Sequence, residues 1–405
     1  VEFKSEKLDN GLEVIAEINS EAFSSSIGYF VKTGSRDETP AMAGVSHFLE
    51  HMLFKGTARR TAADVNRELD DLGSQSNAYT SEEQTVYYVT VLPEFQEQAV
   101  DLLSDMMRPA LREEDFETER QVILEEIAMY DDQPPYGAME RIMEEFFGDH
   151  PLARRVLGTQ ETVRGLATED MRAYHAARYA PNNLCLVGAG KVDFDALVAQ
   201  ARALTGHWTP RPIERVLSAP SPKRHQTRME HPSAVLQYTI EYAQGPSKQD
   251  PKRFATRLLT TVLGDETGSR LFWALVDSGR ADSAALFTQE FQDCGLLGGY
   301  LACAPEDTQD NWKVFQQIIQ EAARQKVTAE ELTLAKNKTC SSLALNAERP
   351  SSRLFTVGNA WTLRHTYENI QQAINHYKRV TLNEVQQALS EWLHQERVTV
   401  TVAQP

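Results

Sequence analysis

His47-Phe48-Leu49-Glu50-His51 is the stretch on which the reading of this chain turns. In a helix, positions four apart lie on one face, one turn from each other. His47 and His51 can therefore present two imidazole nitrogens to a single Zn²⁺. Glu50 stands one residue before the second histidine, close enough to take a proton from a zinc-bound water. Zinc lowers the pKa of such a water to about 7, so a carboxylate suffices as the base. The competing reading is two surface histidines on one helix.

Catalytic zinc usually has three protein ligands and one open position. The third is sought in Glu119-Arg120-Gln121-Val122-Ile123-Leu124-Glu125-Glu126-Ile127, which reads as helix, with apolar residues at Val122, Ile123 and Ile127 and no Gly or Pro. Glu119 and Glu126 are two helical turns apart and share a face, whereas Glu125 points roughly 100° away from Glu126. Spacing alone does not choose between Glu125 and Glu126 as ligand.

Three segments, His47 to Thr57 (HFLEHMLFKGT), Asn77 to Tyr88 (NAYTSEEQTVYY) and Glu119 to Ile127 (ERQVILEEI), resemble the pitrilysin-type zinc metallopeptidases. The resemblance is to the branch of the mitochondrial processing peptidase β-subunit and its bacterial relatives. It implies Zn²⁺ as cofactor, with His47, His51 and Glu126 as ligands, and so selects Glu126 over Glu125. It implies Glu50 as the catalytic base and Glu119 as a supporting carboxylate. It also implies that Asn77, Ala78 and Tyr79 lie on an exposed edge strand that binds substrate backbone by strand addition. A turn asparagine stabilising its own loop is the competing reading of Asn77. The implied fold is α+β: two homologous domains, each a mainly antiparallel sheet backed by helices.

The bulk properties agree with a globular chain of that size. At 405 residues, two cores are the default. No stretch approaches 18 apolar residues, so no membrane-spanning helix is expected. The first 30 residues lack a basic segment followed by an apolar run, so no signal peptide is expected there. A cytoplasmic location is expected, or the periplasm or mitochondrial matrix if a targeting segment has been removed. A net charge of -17 argues against nucleic acid and anionic membrane surfaces and favours cationic peptides. Four widely spaced cysteines form no C-x-x-C pair, which argues against a cysteine metal site, and Cys185 reads as a core residue of a buried strand.

Residues 206–222 hold Pro210, Pro212, Pro220 and Pro222 and no strong periodicity. They are the expected linker between a zinc-binding domain at 1–208 and a homologous domain without the motif at 223–405. Strands are expected at 14–16, 25–31, 81–92, 184–187, 235–242, 284–290, 296–303 and 397–402. The helices expected in the first half run over 44–54, 61–72, 93–107, 113–129, about 137–147 and 168–179. In the second half, helices are expected at 251–263, 268–278, 310–325, 329–347, 351–363, 367–376 and 383–394.

One departure from the family pattern stands out. Relatives carry an Arg and a Tyr in a segment like L-R-x-K-x-G-x-x-Y of the second domain, where the pair helps hold the substrate carbonyl. Here Leu275 to Ser283 reads LVDSGRADS, so Val276 and Ser283 occupy those places. The sequence therefore supports a zinc metalloendopeptidase acting on peptides or unfolded segments. The alternative is a catalytically weak or silent scaffold, or a partner subunit of a heterodimeric peptidase. Relatives enclose a chamber with four domains. Two domains per chain then imply a homodimer, or a heterodimer with a homologue that lacks the zinc motif.

Overall fold

The computed structural model describes residues 1–405. The chain divides into two compact units, and neither is contiguous. Unit 1 comprises residues 1–128, 154–216 and 345–368; unit 2 comprises 129–153, 217–344 and 369–405.

Unit 1 is built on a six-stranded sheet. Its strands are β1 (Glu2–Lys7), β2 (Glu13–Ile18), β3 (Ser25–Val31), β4 (Gln75–Thr80), β5 (Thr85–Val91) and β6 (Leu184–Gly190), in the order β1-β2-β6-β3-β5-β4. The pair β2–β6 is parallel and every other pair is antiparallel. β3 and β6 are buried along their whole length, because helices cover both faces of the sheet. On one face Ile27, Tyr29 and Val31 pack with Phe48, Leu49 and Met52 of the helix Val45–Leu53. On the other, Phe30, Val86 and Val187 pack with Leu354 and Val357 of the helix Pro350–Arg364. Gly358 permits that close approach: a Cβ there would lie 2.3 Å from Cζ of Phe30.

Unit 2 repeats the plan with five strands: β7 (His225–Glu230), β8 (Gln237–Gly245), β9 (Ser283–Glu290), β10 (Gly295–Cys303) and β11 (Arg397–Ala403), ordered β7-β11-β8-β10-β9. Again one pair, β7–β11, is parallel. The order and directions match β2-β6-β3-β5-β4 of unit 1 strand for strand. One face of this sheet is covered by the helix Pro134–Phe147, whose Ile142 and Phe146 pack with Ile240, Tyr242, Val398 and Val400. Each sheet is thus covered by a helix from the other half of the sequence. The expected division at 1–208 and 223–405 differs from the units in these two exchanged segments, 129–153 and 345–368. Their apolar faces complete a sheet that is remote in sequence.

The α+β architecture of two homologous domains is present, with sheets that are mixed rather than purely antiparallel. The 81–92 segment forms β5 over 85–91 only, and β4 precedes it as a separate edge strand. β1, β7 and the helix Phe194–Thr205 add to the expected elements. Residues 268–278 were expected as a helix, but the regular part is a single π-helical segment, Phe272–Val276. No disulfide joins the four cysteines, and Cys185 is buried in β6. No helix is long and apolar enough to cross a membrane.

Candidate metal centre

The helix Val45–Leu53 carries the histidines. It starts from Gly44, whose φ of 95° lies in the left-handed region, and a Cβ there would meet the Leu157 carbonyl oxygen at 2.5 Å. Glu38 caps this start: its carboxylate accepts the Gly44 N–H at 2.8 Å and the Ser46 N–H at 2.7 Å. Burial pushes the Glu38 carboxyl up to about 8, against the pull of those two N–H groups. With Phe48, Leu49 and Met52 in the core, the helix is fixed in rotation, and His47 and His51 share its other face, ring centroids 4.7 Å apart.

The facing helix, Glu113–Asp131, buries Phe116, Glu119, Ile123 and Ile127. Phe116 stacks on Phe48 with centroids 4.5 Å apart, which locks the two helices in register. That register brings Glu126 to the histidines. Its Oε2 lies 3.7 Å from His47 Nε2 and 3.7 Å from His51 Nε2. His47, His51 and Glu126 are the one group in the chain whose ligand atoms converge, all within 4.8 Å of one another. Glu125 is exposed and lines a surface depression with Arg120, Gln121 and Arg164.

His₂Glu is a known donor set for zinc, and bonds of about 2.0–2.1 Å in a tetrahedron put ligand atoms about 3.3 Å apart. The two edges to Glu126, at 3.7 Å, need only a slight contraction around an ion, and the His47–His51 edge, within 4.8 Å, closes by small side-chain rotations. The protonation pattern also fits. Burial, and then the neighbouring His51, push the His47 imidazole down to about 3, so it is neutral. His51 Nδ1 donates to Glu119 Oε1 at 2.9 Å, so in the neutral ring Nε2, 3.7 Å from Glu126 Oε2, is the nitrogen free to bind a metal. Two imidazole nitrogens and a carboxylate oxygen thus lie close together, a donor set that a cation completes. Burial disfavours protonated His51, yet the hydrogen bond and charge of Glu119, with Glu126 and Glu50, shift it upward overall. Burial works to raise the Glu119 pKa, but His51 and Lys55, whose Nζ touches Glu119 Oε2, hold it below the usual range. Burial pushes the Glu126 carboxyl up, partly offset by His51.

Glu50 is beside the three but not among them. Its Oε2 accepts a hydrogen bond from Thr80 Oγ1 at 2.5 Å, and burial raises its pKa against that bond. Thr80 is the last residue of β4, the edge strand expected to receive substrate. Asn77 is exposed there, and its Oδ1 accepts the N–H of Ala78 at 2.9 Å, as a residue that steadies its own backbone. The Tyr79 ring lies 5.8 Å from Phe355, and its hydroxyl donates to Asn359 at 3.4 Å. Asn77, Ala78 and Tyr79 thus lie on β4, whose outer backbone edge has no strand partner in the sheet.

Val276 lies in the π-helical segment and Ser283 opens β9, so neither place holds a guanidinium or a phenol. Arg280, near them in sequence, donates its Nε to Asn311 Oδ1 at 2.9 Å. Sequence reasoning missed Thr80, Lys55, Phe355 and Asn359. The first two lay inside the quoted motifs, beside the residues to which the resemblance assigned roles. The last two lie on a helix some 275 residues further on and carried no local signal.

Known proteins resemble this chain along nearly its whole length. The family model for insulinase, peptidase family M16, matches residues 13–160, and that for the peptidase M16 inactive domain matches residues 166–339. An uncharacterized zinc protease of Mycobacterium leprae is 33% identical over 408 residues, which cover 98% of this chain and 91% of that protein. A probable mitochondrial-processing peptidase subunit beta of Arabidopsis thaliana is 31% identical over 361 residues, 85% of this chain and 67% of the relative. The crystal structure of a protease from Helicobacter pylori superposes with a TM-score of 0.92 at 20% identity, covering 100% of this chain and 99% of that one.

Proposed function

Because the chain belongs to peptidase family M16, we propose that it is a zinc metalloendopeptidase acting on peptides or unfolded segments. The observation that carries this reading is the convergence of His47, His51 and Glu126, with Glu50 alongside and outside the ligand set. His47 Nε2, His51 Nε2 and Glu126 would hold the ion, and Glu119 would fix the His51 tautomer and orientation from behind. Zn²⁺ bound there supplies Lewis acidity, both to the water nucleophile and to the negative charge that develops on the scissile carbonyl oxygen.

The remaining work falls to the chain's own groups. A peptide pairs in extended form with the free edge of β4 through backbone hydrogen bonds, which reads shape more than sequence. Glu50 accepts the proton of the attacking water on its carboxylate and returns it to the leaving amine. Thr80 holds one Glu50 oxygen, leaving the other for proton transfer. Zinc-loaded protein should hydrolyse unstructured peptides. Glu50→Gln should keep the metal yet lower kcat by at least about 10²-fold, the low end for losing a general acid–base. Full activity in this variant would remove Glu50 from the mechanism.

A second reading, a subunit that works only with a partner, is favoured by Val276 and Ser283 standing where relatives carry Arg and Tyr. Zinc-loaded chain that is inert alone and cleaves peptides once a homologue carrying the pair is added would select it.

A further inference from the structure

β4 is held from both faces at its end. Alternation along the strand turns Tyr79 toward the helix Pro350–Arg364 and Thr80 toward the helix Val45–Leu53. Tyr79 rests against Phe355 and Asn359, and Thr80 donates to the Glu50 carboxylate at 2.5 Å. The strand that offers its free edge to a peptide is therefore bonded directly to the group that moves the proton.

Unit 2 shows the same joint in other chemistry. The β4–β5 hairpin pairs Thr80 with Thr85, and the β9–β10 hairpin pairs Glu290 with Gly295, so Glu290 ends its edge strand in the register of Thr80. Glu290 is in turn gripped by Arg257 on the helix Arg253–Gly264, with both guanidinium contacts at 2.7 Å. Where no proton is to be moved, a bidentate ion pair fills the joint. Where Glu50 stands, the fold uses a single hydroxyl, which fixes one carboxylate oxygen and leaves the other unencumbered.

We propose that Thr80 is a positioning residue that couples docking of a peptide on β4 to the orientation of Glu50. The idea rests on Glu50 acting as the base. A peptide seated on β4 fixes the strand, the strand fixes the Thr80 hydroxyl, and the hydroxyl fixes the carboxylate rotamer facing the scissile bond. A misplacement of the order of 1 Å in such a group costs up to about 10²-fold in rate.

The test uses the zinc-loaded full chain, with an unstructured peptide as substrate. Thr80→Val keeps the β-branched shape and removes the hydroxyl, and Thr80→Ser keeps the hydroxyl. Thr80→Val should lower kcat about tenfold or more, with KM within about twofold and zinc content unchanged. Thr80→Ser should recover kcat to within about threefold of the parent. In a Glu50→Gln background, Thr80→Val should lower kcat no further and should leave the affinity for the uncleaved peptide unchanged. The proposal is overturned if Thr80→Val leaves kcat within about twofold of the parent, or if Ser is as impaired as Val, or if the loss lies in KM alone. Wild-type kcat in Glu50→Gln itself would sink the base assignment and Thr80 with it. A normal Thr80→Val beside an inactive Glu50→Gln would sink Thr80 alone.

Discussion

Removing the Arg353 charge tests whether the exchanged helix Pro350–Arg364 holds unit 1 together. Arg353 is 6% exposed and grips Glu17 of β2 through Nε at 2.6 Å and Nη2 at 2.5 Å, while the Tyr367 hydroxyl adds a bond to the same carboxylate at 2.8 Å. Arg353→Met keeps an apolar stem of similar length and strands the buried Glu17 carboxylate with Tyr367 alone. Leaving one partner of a buried ion pair uncompensated costs about 3–5 kcal/mol, a large part of the about 5–15 kcal/mol that holds a domain folded. Replacing both partners by apolar groups is often close to neutral, so Arg353→Met with Glu17→Met should recover most of the loss, short of about 1 kcal/mol for the orphaned Tyr367 hydroxyl. With a urea slope of about 2 kcal/mol/M, the single variant should unfold about 1.5–2.5 M earlier. Urea titration followed by hydrogen exchange at β2 and β6 confines the readout to unit 1. The same helix carries Phe355 and Asn359, so peptide KM should rise in the single variant. A midpoint that falls by less than about 0.5 M, or a double variant as unstable as the single, would refute the reasoning.

Two further outcomes follow from the site and its surroundings. Glu119→Gln removes the charge behind His51 Nδ1 and should weaken zinc binding by about 10–100-fold in competition with a chelator; unchanged affinity would leave Glu119 with no role in tuning the ligand. His175 donates Nε2–H to the Met107 carbonyl at 3.0 Å, and burial, then Arg108, push its pKa down to about 4. Because that value lies below the unfolded one, its contribution to stability is complete above about pH 6.5 and is lost as pH falls toward 4, at up to about 1.4 kcal/mol per pH unit. His175→Gln should flatten this part of a urea midpoint profile, and a profile as steep as the parent's would place the titration elsewhere.

The sequence disclosed most where chemistry demands fixed spacing. His47, Glu50 and His51 needed only helical periodicity, and β3 was legible from Ser25 to Val31 because both of its faces are apolar. Glu126 was not separable from Glu125 by spacing, since the choice depends on the Phe48–Phe116 contact between two helices. The helices 134–147 and 350–364 were legible as helices, but their destinations were not. A helix's apolar face says that it needs a partner, not which sheet supplies it. β1 and β7 read EFKSEK and HQTRME, charged edge strands with little apolar alternation to betray them. Thr80 lay in plain view within NAYTSEEQTVYY, but its part depends on the pairing register of β4 and on the helix beneath it.

The most direct test of the account is the zinc content of the purified chain and of three variants. One zinc per chain should be present in the parent and retained in Glu50→Gln and Glu125→Gln, while Glu126→Gln should lose it, because Glu126 and not Glu125 converges with His47 and His51. A parent that cannot be loaded with zinc, or a site emptied by Glu125→Gln and untouched by Glu126→Gln, would contradict the account.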